Sequence, residues 1–162
     1  MTSGSHIACL MLGSNIRPEE NLQQALYLLR EQVSIQKISS VWKTPAVGST
    51  GPDFLNAAIL VQTDLGAREL KDSVLRPLET KLGRVRVEDK NAPRTIDLDI
   101  IIFDDVLLDD ALWHQAYLAV PISELLPEYS SQQGVLLIDA AHLFAVQEPL
   151  TLMPRILVNQ ES

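Results

Sequence analysis

The chain has 162 residues, of which 46% are hydrophobic and 21% are charged, and its formal net charge is −8. These values exclude a disordered chain, a collagen-like repeat and a disulfide scaffold, and they predict one soluble folded domain over residues 1–162. The acidic balance indicates a surface that repels nucleic acid and anionic lipid, so any anion site has to be a local cluster of arginines.

Cysteine usage and hydropathy indicate the compartment. The single cysteine, Cys9, has no partner for an internal disulfide, which favours a reducing environment. The longest apolar run, residues 7–12, is far shorter than the roughly 18 residues that span a bilayer, and no Lys or Arg precedes it as a signal peptide requires. We therefore expect a cytoplasmic protein with no membrane partner. Residues 1–6 are small and polar, like an expression tag or a disordered start.

The chain begins with a predicted strand and helix. Residues 7–12 are typical of a fully buried strand, and residues 13–15 end it with turn chemistry. A helix from Pro18 to about residue 32 should follow, because proline suits a first helical turn and apolar residues recur at helical spacing.

Two further strands and a long loop follow. Residues 33–42 alternate in polarity, which predicts a strand, and residues 56–63 predict another. The loop between them, residues 44–52, is long and contains two prolines and two glycines. Loops of this length inside compact domains often carry function.

A second helix and a fourth strand complete the pattern. Residues 65–82 have apolar side chains on one helical face, although Pro77 should bend this helix because it removes a hydrogen bond. Residues 95–103 give the strongest strand signal, with Asp97 and Asp99 on one face and the apolar residues on the other.

The order β-α-β-β-α-β predicts an α+β fold of the ferredoxin-like kind, in which two helices pack on one face of an antiparallel sheet. The pattern weakens afterwards, with short apolar segments at residues 117–126 and 135–144. Residues 130–162 are a C-terminal extension to which the sequence assigns no role.

Asp97 and Asp99 are candidate metal ligands. Two carboxylates on one strand face can converge on a hard cation, and Mg²⁺ is typically held by one or two carboxylates together with substrate phosphates. An exposed strand face that simply carries charge is the alternative, since a lone Asp-x-Asp is a weak signal.

Nearby arginines favour phosphate chemistry. Arg84, Arg86 and Arg94 lie in the long connection between the second helix and the strand, and guanidinium groups bind phosphate oxygens bidentately. That connection is long enough to close over a nucleotide as a lid. Surface ion pairing with Glu88 and Asp89 is the alternative.

Five spaced blocks carry a resemblance to a known family: LGSN at 12–15, KTPAVG at 43–48, PDFLNAAILV at 52–61, LGRVR at 82–86 and APRTIDLDIIIFDD at 92–105. In this order and spacing, over about residues 7–127, the chain resembles the 6-hydroxymethyl-7,8-dihydropterin pyrophosphokinases of folate biosynthesis. The resemblance implies a ferredoxin-like fold that transfers the β,γ-diphosphate of ATP to the pterin hydroxymethyl group and leaves AMP.

The resemblance also implies roles for the charged residues. Asp97 and Asp99 would hold two Mg²⁺ ions, and Arg84 and Arg94 would contact the ATP phosphates and stabilise charge on the transferred group. These four residues form the expected catalytic set.

Three more residues match nucleotide-side positions. Glu79 would lie near the nucleotide and pterin side of the site, and Arg86 would belong to the mobile loop. His114 stands where the family has a histidine, but a surface histidine at a helix end is an equal alternative. The chain departs from the family at Asn91, where a lid tryptophan is often found, and in the segment after Asp105, which is short and has no arginine.

A third set matches the pterin site. Asn56 would recognise the amide-like edge of the pterin, since an amide offers donors and an acceptor; a turn residue at the start of a strand is the alternative. The other expected pterin contacts are Thr44, Pro45, Ala46, Val47, Phe54 and Tyr117, of which the two aromatic residues would sandwich the ring. Residues 13–15 receive no catalytic role, because a tight turn explains them equally well.

Two rival hypotheses remain. One is a non-catalytic nucleotide or pterin binding protein on the same fold, and the other is a ferredoxin-like interaction domain with a solvated ionic face. The leading hypothesis is a monomeric enzyme whose partners are ATP and the reduced pterin alcohol.

Overall fold

A computed structural model describes residues 5–46, 51–85, 88 and 93–154. In chain order the elements are β1 (His6–Ser14), α1 (Pro18–Arg30), β2 (Ser34–Ile38), β3 (Trp42–Thr44), β4 (Phe54–Thr63), α2 (Ala67–Leu70), a π-helical turn (Lys71–Leu75), α3 (Arg76–Lys81), β5 (Asp97–Phe103), β6 (Val106–Leu107), a 3-10 turn (Asp110–Trp113), α4 (Ala116–Leu125), α5 (Leu137–Gln147) and β7 (Thr151–Leu152).

The described strands form one sheet in the order β6-β5-β1-β4-β3-β7, and β2 pairs with β4 beside β3. All the strand pairs are antiparallel, and β1 lies between β4 and β5. The predicted ferredoxin-like arrangement is therefore confirmed, with β2 and β3 sharing the place of its second strand.

One face of the sheet packs against α1 and against the continuous helix formed by α2, the π-helical turn and α3. Leu10 and Leu12 of β1 meet Leu22 and Leu29 of α1 and Leu75 of the second helix in one buried core. Alternate residues of β1 point to opposite faces, and both faces are covered. This burial explains the uninterrupted apolar run of β1.

The opposite face is covered by α4 and α5, so the sheet has helices on both faces. The prediction of helices on one face describes the βαββαβ core, and the C-terminal helices add a second layer over Cys9, Met11 and Ala58. Burial raises the pKa of the Cys9 thiol to about 12, so the thiol stays protonated. No helix in the described part of the chain has the length and apolar character needed to cross a membrane.

The strand predicted over residues 33–42 is two short strands in the structure. Ser39 lies in the break between β2 and β3, where its N–H donates to the Ala58 carbonyl at 2.9 Å. Its hydroxyl oxygen accepts from the Ala58 N–H at 2.8 Å. The Ser39 side chain therefore takes the place of a backbone carbonyl in one hydrogen bond of the sheet. Alternation of polarity in the sequence does not reveal that a strand is interrupted in this way.

The conflict that Pro77 poses for the second helix is resolved by the π-helical turn. The Arg76 N–H bonds to the Lys71 carbonyl, five residues earlier, and Pro77 then lies in the first turn of α3. A proline in a first helical turn removes no hydrogen bond. The helix predicted over residues 65–82 is thus continuous from Ala67 to Lys81.

Candidate functional site

Asn56, Gly13 and Asp97 form a row across the three central strands. Gly13 of β1 pairs with Asn56 of β4 on one side and with Asp97 of β5 on the other. Paired residues project to the same face of a sheet. That face is the one covered by α4 and α5, because Met11, two residues before Gly13, belongs to their core. Asp99 projects from the same face, two residues along β5 from Asp97.

Asp97 is held by two of the predicted arginines. Arg84 Nη1 donates to Asp97 Oδ1 at 2.6 Å, and Arg94 Nη1 donates to Asp97 Oδ2 at 3.1 Å. Burial would raise the pKa of Asp97, but the hydrogen bonds and charges of Arg84 and Arg94 outweigh it and hold that pKa below its ordinary value. Arg84 is only 10% exposed, so these are partly buried ion pairs rather than a solvated ionic face.

Asp99 has a different electrostatic environment. Arg76 Nη2 lies 3.6 Å from Asp99 Oδ1. Burial and the negative charge of Asp97 raise the pKa of Asp99 to about 6, and the positive charge of Arg76 opposes this rise. The two carboxylates therefore resist ionising together, and a cation between them would remove that resistance.

Glu79 anchors the arginines beneath β5. It is 2% exposed, and its Oε2 accepts hydrogen bonds from the Leu98 N–H at 2.7 Å, from Arg76 Nη1 at 3.0 Å and from Arg84 Nη1 at 3.3 Å. Arg84 Nη1 also donates to the Ile96 carbonyl at 3.1 Å. The buried carboxylate compensates the arginine charges and fixes α3 against the strand that carries the acid pair.

Asn15 holds the backbone of Arg94. The Asn15 N–H donates to the Arg94 carbonyl at 3.1 Å, and the Arg94 N–H donates to Asn15 Oδ1 at 2.7 Å. Asn15 is 4% exposed, so this clamp is shielded from water. The turn after β1 thereby fixes the direction from which the Arg94 guanidinium reaches Asp97.

The opposite end of the row is built around Asn56. The Asn56 Nδ2 donates to Thr44 Oγ1 at 2.8 Å, which fixes the orientation of a 5% exposed amide. A side chain on Gly13 would bring its Cβ to 3.1 Å from Asn56 Oδ1 and to 3.9 Å from the Phe54 ring. An alanine here would push the Asn56 amide by a few tenths of an ångström, so the close approach favours glycine. The Arg94 guanidinium lies 5.6 Å from the centre of the Phe54 ring, which links this end to the charged cluster.

Tyr117, in the first turn of α4, lies half-buried in the field of the acid pair. Burial raises the pKa of its hydroxyl, and the negative charges of Asp109, Asp97 and Asp99 raise that pKa further. The structure therefore brings together Tyr117 and the acid pair, which are 18 or more residues apart in the sequence.

For the remaining predicted residues that it describes, the structure gives a position in the fold but no hydrogen bond or ion pair with Asn56 or the acid pair. Pro45 and Ala46 directly follow β3 and Thr44. His114 is exposed at the end of the 3-10 turn, where its N–H donates to the Ala111 carbonyl at 3.0 Å, as expected of a surface histidine at a helix end. Three predicted positions lie outside the described residues: Val47, Arg86 and Asn91.

A cavity of about 430 Å³ opens beside Asp99, on the side away from Asn56. The cavity is bounded by basic residues of the second helix and by residues of and near β5, among them Arg68, Lys71, Arg76, Asp99, Ile100 and Leu108. Its apolar wall suits a flat ring, and its basic wall suits anionic groups.

Arg76 and Asn15 are the residues that sequence reasoning missed. Arg76 lies three residues before Glu79, a spacing that pairs side chains on a helix, but the motif blocks gave it no weight. Asn15 was explained as a turn residue, and its contact with Arg94 spans 79 residues. The spacing of Arg76 and Glu79 is a local signal, whereas the contact of Asn15 with Arg94 has none.

Comparison with known proteins adds an independent finding. A family model described as 7,8-dihydro-6-hydroxymethylpterin-pyrophosphokinase matches residues 9–127. The chain is 33% identical to a Synechocystis 2-amino-4-hydroxy-6-hydroxymethyldihydropteridine pyrophosphokinase over 135 residues, which cover 76% of this chain and 68% of the relative. It is 36% identical to the Helicobacter pylori protein of the same name over 137 residues, which cover 82% and 78%.

The fold also matches a crystal structure of Plasmodium falciparum HPPK-DHPS, with a TM-score of 0.70 and 12% sequence identity. That match covers 89% of this chain and 44% of the Plasmodium chain, so this chain spans less than half of that longer protein.

Proposed function

The chain belongs to the 7,8-dihydro-6-hydroxymethylpterin-pyrophosphokinase family, and from this premise we propose that it transfers the β,γ-diphosphate of ATP to the hydroxymethyl group of 6-hydroxymethyl-7,8-dihydropterin. The pterin oxygen forms a bond to the β-phosphorus, the bond from that phosphorus to the oxygen bridging the α-phosphate breaks, and AMP leaves with the bridging oxygen. The hydroxymethyl proton is released, and the products are AMP and the pterin diphosphate.

The observation that carries the proposal is the position of the acid pair relative to Asn56 and to the cavity. Asn56 lies on β4, Asp97 and Asp99 lie on β5 with β1 between the two strands, and Asp99 also lines the cavity. A pterin at Asn56 and a nucleoside in the cavity would bring the hydroxymethyl oxygen and the phosphates together at the acid pair. Such placement of two substrates supplies much of the catalysis in phosphoryl transfer.

Asp97 and Asp99 are the residues that would hold two Mg²⁺ ions. Within the described residues no third His, Cys, Asp or Glu joins them as a metal ligand. Two carboxylates with room for substrate phosphates and water suit Mg²⁺ rather than a closed protein cage. The Thr95 hydroxyl, two residues before Asp97, is buried with no hydrogen-bond partner among the described residues. When bound, Mg²⁺ neutralises phosphate charge.

Arg84 and Arg94 stabilise the charge that develops on the transferred group. Both arginines are already held in place, since Glu79 binds the Arg84 guanidinium and Asn15 binds the Arg94 backbone. Preorganised donors need little rearrangement when charge develops in the transition state. Binding of phosphate oxygens would use the donors of these guanidinium groups that do not face Asp97. The lid position Arg86 and the nucleotide-side role of His114 remain predictions.

The pterin would lie between Phe54 and Tyr117, with its amide edge on Asn56. The Asn56 Nδ2 donates to Thr44, which leaves Oδ1 and the second Nδ2 proton for a ligand. Backbone groups of Pro45 and Ala46 lie next to Thr44 in sequence and would contact the same edge, and Val47 remains a prediction. We also propose a monomeric enzyme in the cytoplasm.

The deciding experiment measures AMP formation from ATP and the pterin alcohol with Mg²⁺ and with EDTA. We expect metal-dependent AMP, reduced by orders of magnitude in Asp97→Ala, because that variant removes a group acting on the transition state. Asp64→Ala is the matched control, since Asp64 is an exposed acid just beyond the far end of β4. ADP as the product would contradict diphosphate transfer. Nucleotide binding without turnover would favour the non-catalytic binding protein.

A further inference from the structure

Arg76 lies on the boundary between the acid pair and the cavity. It is the first residue of α3, and its side chain is 27% exposed. The cavity is bounded by Arg76 on one side and by Asp99 and Ile100 on another. Because Arg76 and Asp99 both line the cavity and lie 3.6 Å apart, a phosphate that reaches Asp99 from the cavity comes close to this guanidinium.

The orientation of the Arg76 guanidinium is fixed by one of its nitrogens. Nη1 donates to Glu79 Oε2 at 3.0 Å and to the Leu98 carbonyl at 3.0 Å. Because the group is planar, these two bonds also determine the direction of Nη2. Nη2 lies 3.6 Å from Asp99 Oδ1, which is longer than a hydrogen bond. Its donors are therefore well placed for a closer acceptor at the mouth of the cavity.

The other two arginines described at the site bind Asp97 rather than Asp99. Arg84 and Arg94 both bind Asp97, which shares its row with Asn56. The transferred diphosphate would then lie toward Asp97, and the part of the nucleotide that leaves would lie toward Asp99. Among the described arginines that contact the acid pair, Arg76 is the one on that leaving side.

We propose that Arg76 binds the α-phosphate of the nucleotide and stabilises the negative charge that AMP gains as it leaves. This inference rests on the proposed function, since it takes ATP as the diphosphate donor. The bond from the β-phosphorus to the bridging oxygen breaks, its electron pair stays on that oxygen, and Nη2 donates to an α-phosphate oxygen. Charge-assisted bonds between guanidinium and phosphate are among the strong hydrogen bonds of proteins.

The test compares AMP with adenosine, which lacks the phosphate that Arg76 is expected to bind. Affinities are measured by calorimetry in EDTA for the unmodified protein and for Arg76→Gln. We expect the variant to bind AMP at least about tenfold more weakly and adenosine within about twofold of the unmodified protein, because loss of a bond to a charged group costs about 1.5–3 kcal/mol. Equal weakening for both ligands would indicate a structural role and overturn the proposal.

Two further variants separate charge and folding from contact. Arg68→Gln removes the same charge from the same cavity wall, but Arg68 is 95% exposed and is 3.7 Å from Asp72, so this variant should weaken AMP binding clearly less than Arg76→Gln does. Arg76→Lys keeps the charge and should have an intermediate AMP affinity. If Arg68→Gln weakens AMP as much as Arg76→Gln does, general electrostatics rather than a contact would explain the loss.

Failure of this inference can be distinguished from failure of the proposed function. If the unmodified protein forms AMP from ATP and the pterin but Arg76→Gln binds AMP normally, only the role of Arg76 is wrong. If no AMP forms from ATP and the pterin, the proposed function fails, whatever the affinities for AMP and adenosine.

Discussion

Asp97 and Asp99 are chemically identical residues whose surroundings move their pKa values in opposite directions. Two guanidinium groups hydrogen-bond to Asp97 and lower its pKa, despite burial. Asp99 forms an ion pair only with the more distant Arg76 among the described residues, and burial together with the charge of Asp97 raises its pKa to about 6. Asp99 is consequently the carboxylate whose protonation competes with cation binding near neutral pH.

This difference predicts a pH-dependent stability in the metal-free protein. Because the folded pKa of about 6 lies above the ordinary 3.8, the folded state binds more protons in this interval, and the contribution of Asp99 to the unfolding free energy rises as pH falls from 6 to 4. Asp99→Asn should therefore be more stable than the unmodified protein at pH 7. The gain should be at most about 1 kcal/mol, since Asp99 is 46% exposed.

The measurement is urea unfolding in EDTA at pH 7 and pH 5. The stability gain of Asp99→Asn should be smaller at pH 5, and Asp64→Asn should show no such trend. A gain that does not depend on pH would contradict the raised pKa of Asp99.

Substitutions of Asn56 and of Arg94 are predicted to change different kinetic quantities. Asn56→Ala should weaken pterin binding about 10- to 100-fold, because it removes hydrogen bonds to a polar ring edge, and nucleotide affinity should stay nearly constant. Arg94→Ala should lower kcat more than pterin affinity, because the guanidinium acts on developing charge. Steady-state kinetics with each substrate varied in turn check both. Equal effects of the two variants on kcat and on pterin affinity would contradict the assigned roles.

At the scale of elements, the site depends on how α3 and α4 are held against the sheet. The π-helical turn Lys71–Leu75 precedes α3, whose Arg76 and Glu79 bind the β5 backbone at Leu98. On the other face, Glu124 of α4 accepts from the Ser40 N–H and from Trp42 Nε1, both at 2.8 Å. Side-chain hydrogen bonds therefore fix α3 to β5 and α4 to β3.

Glu124 is predicted to support the pterin end from a distance. Trp42 pairs with Asn56, so loss of the Glu124 bonds loosens β3 next to the recognition amide. Glu124→Ala should lower the unfolding free energy by about 0.5–1.5 kcal/mol, since Glu124 is exposed to solvent, and should weaken pterin binding several-fold. Urea unfolding and pterin titration measure the two effects.

Two variants serve as references for the Glu124 prediction. Glu124→Gln keeps one carbonyl acceptor and should lose less stability and less pterin affinity than Glu124→Ala. Glu128→Ala changes an exposed glutamate just beyond α4 and should be neutral. Unchanged stability and unchanged pterin affinity in Glu124→Ala would show that α4 does not position β3.

At the scale of the whole molecule, one sheet separates two cores, and the site lies where the charged ends of several elements meet. The net charge is −8, but the ion-pair network that the described residues form at the site is balanced between three bases and three acids: Arg76, Arg84, Arg94, Glu79, Asp97 and Asp99. A balanced site favours a ligand set that is itself nearly neutral, such as ATP together with Mg²⁺.

Joint stabilisation by metal and nucleotide is therefore predicted. The ATP analogue whose α,β-bridging oxygen is replaced by methylene cannot be cleaved there, and at about 100 times its Kd a bound ligand stabilises by about 2.7 kcal/mol. With Mg²⁺, Tm should rise by about 5–10 °C. With EDTA in place of Mg²⁺ the rise should be much smaller, and Asp97→Ala should lose most of it. An equal rise with and without metal would contradict the role of the acid pair.

The elements of the core could be predicted from local patterns. A period of two placed Asp97 and Asp99 on one strand face, and helical spacing with Pro18 predicted α1, because backbone geometry alone decides which side chains share a face. The resemblance of spaced motifs added the family, and the family model and the named relatives confirm it. It also drew attention to Arg84 and Arg94, whose contacts with Asp97 the structure describes.

Tertiary structure decided which faces meet. The clamp of Asn15 on Arg94 joins residues 79 apart, and the bond of Glu124 to Trp42 joins residues 82 apart. The π-helical turn orients Arg76 toward Leu98 and Asp99, and α4 and α5 cover a face for which the sequence indicated no partner. Periodicity specifies the buried side of each element but carries no information about the element packed against it, because packing depends on the shape and charge of both surfaces together.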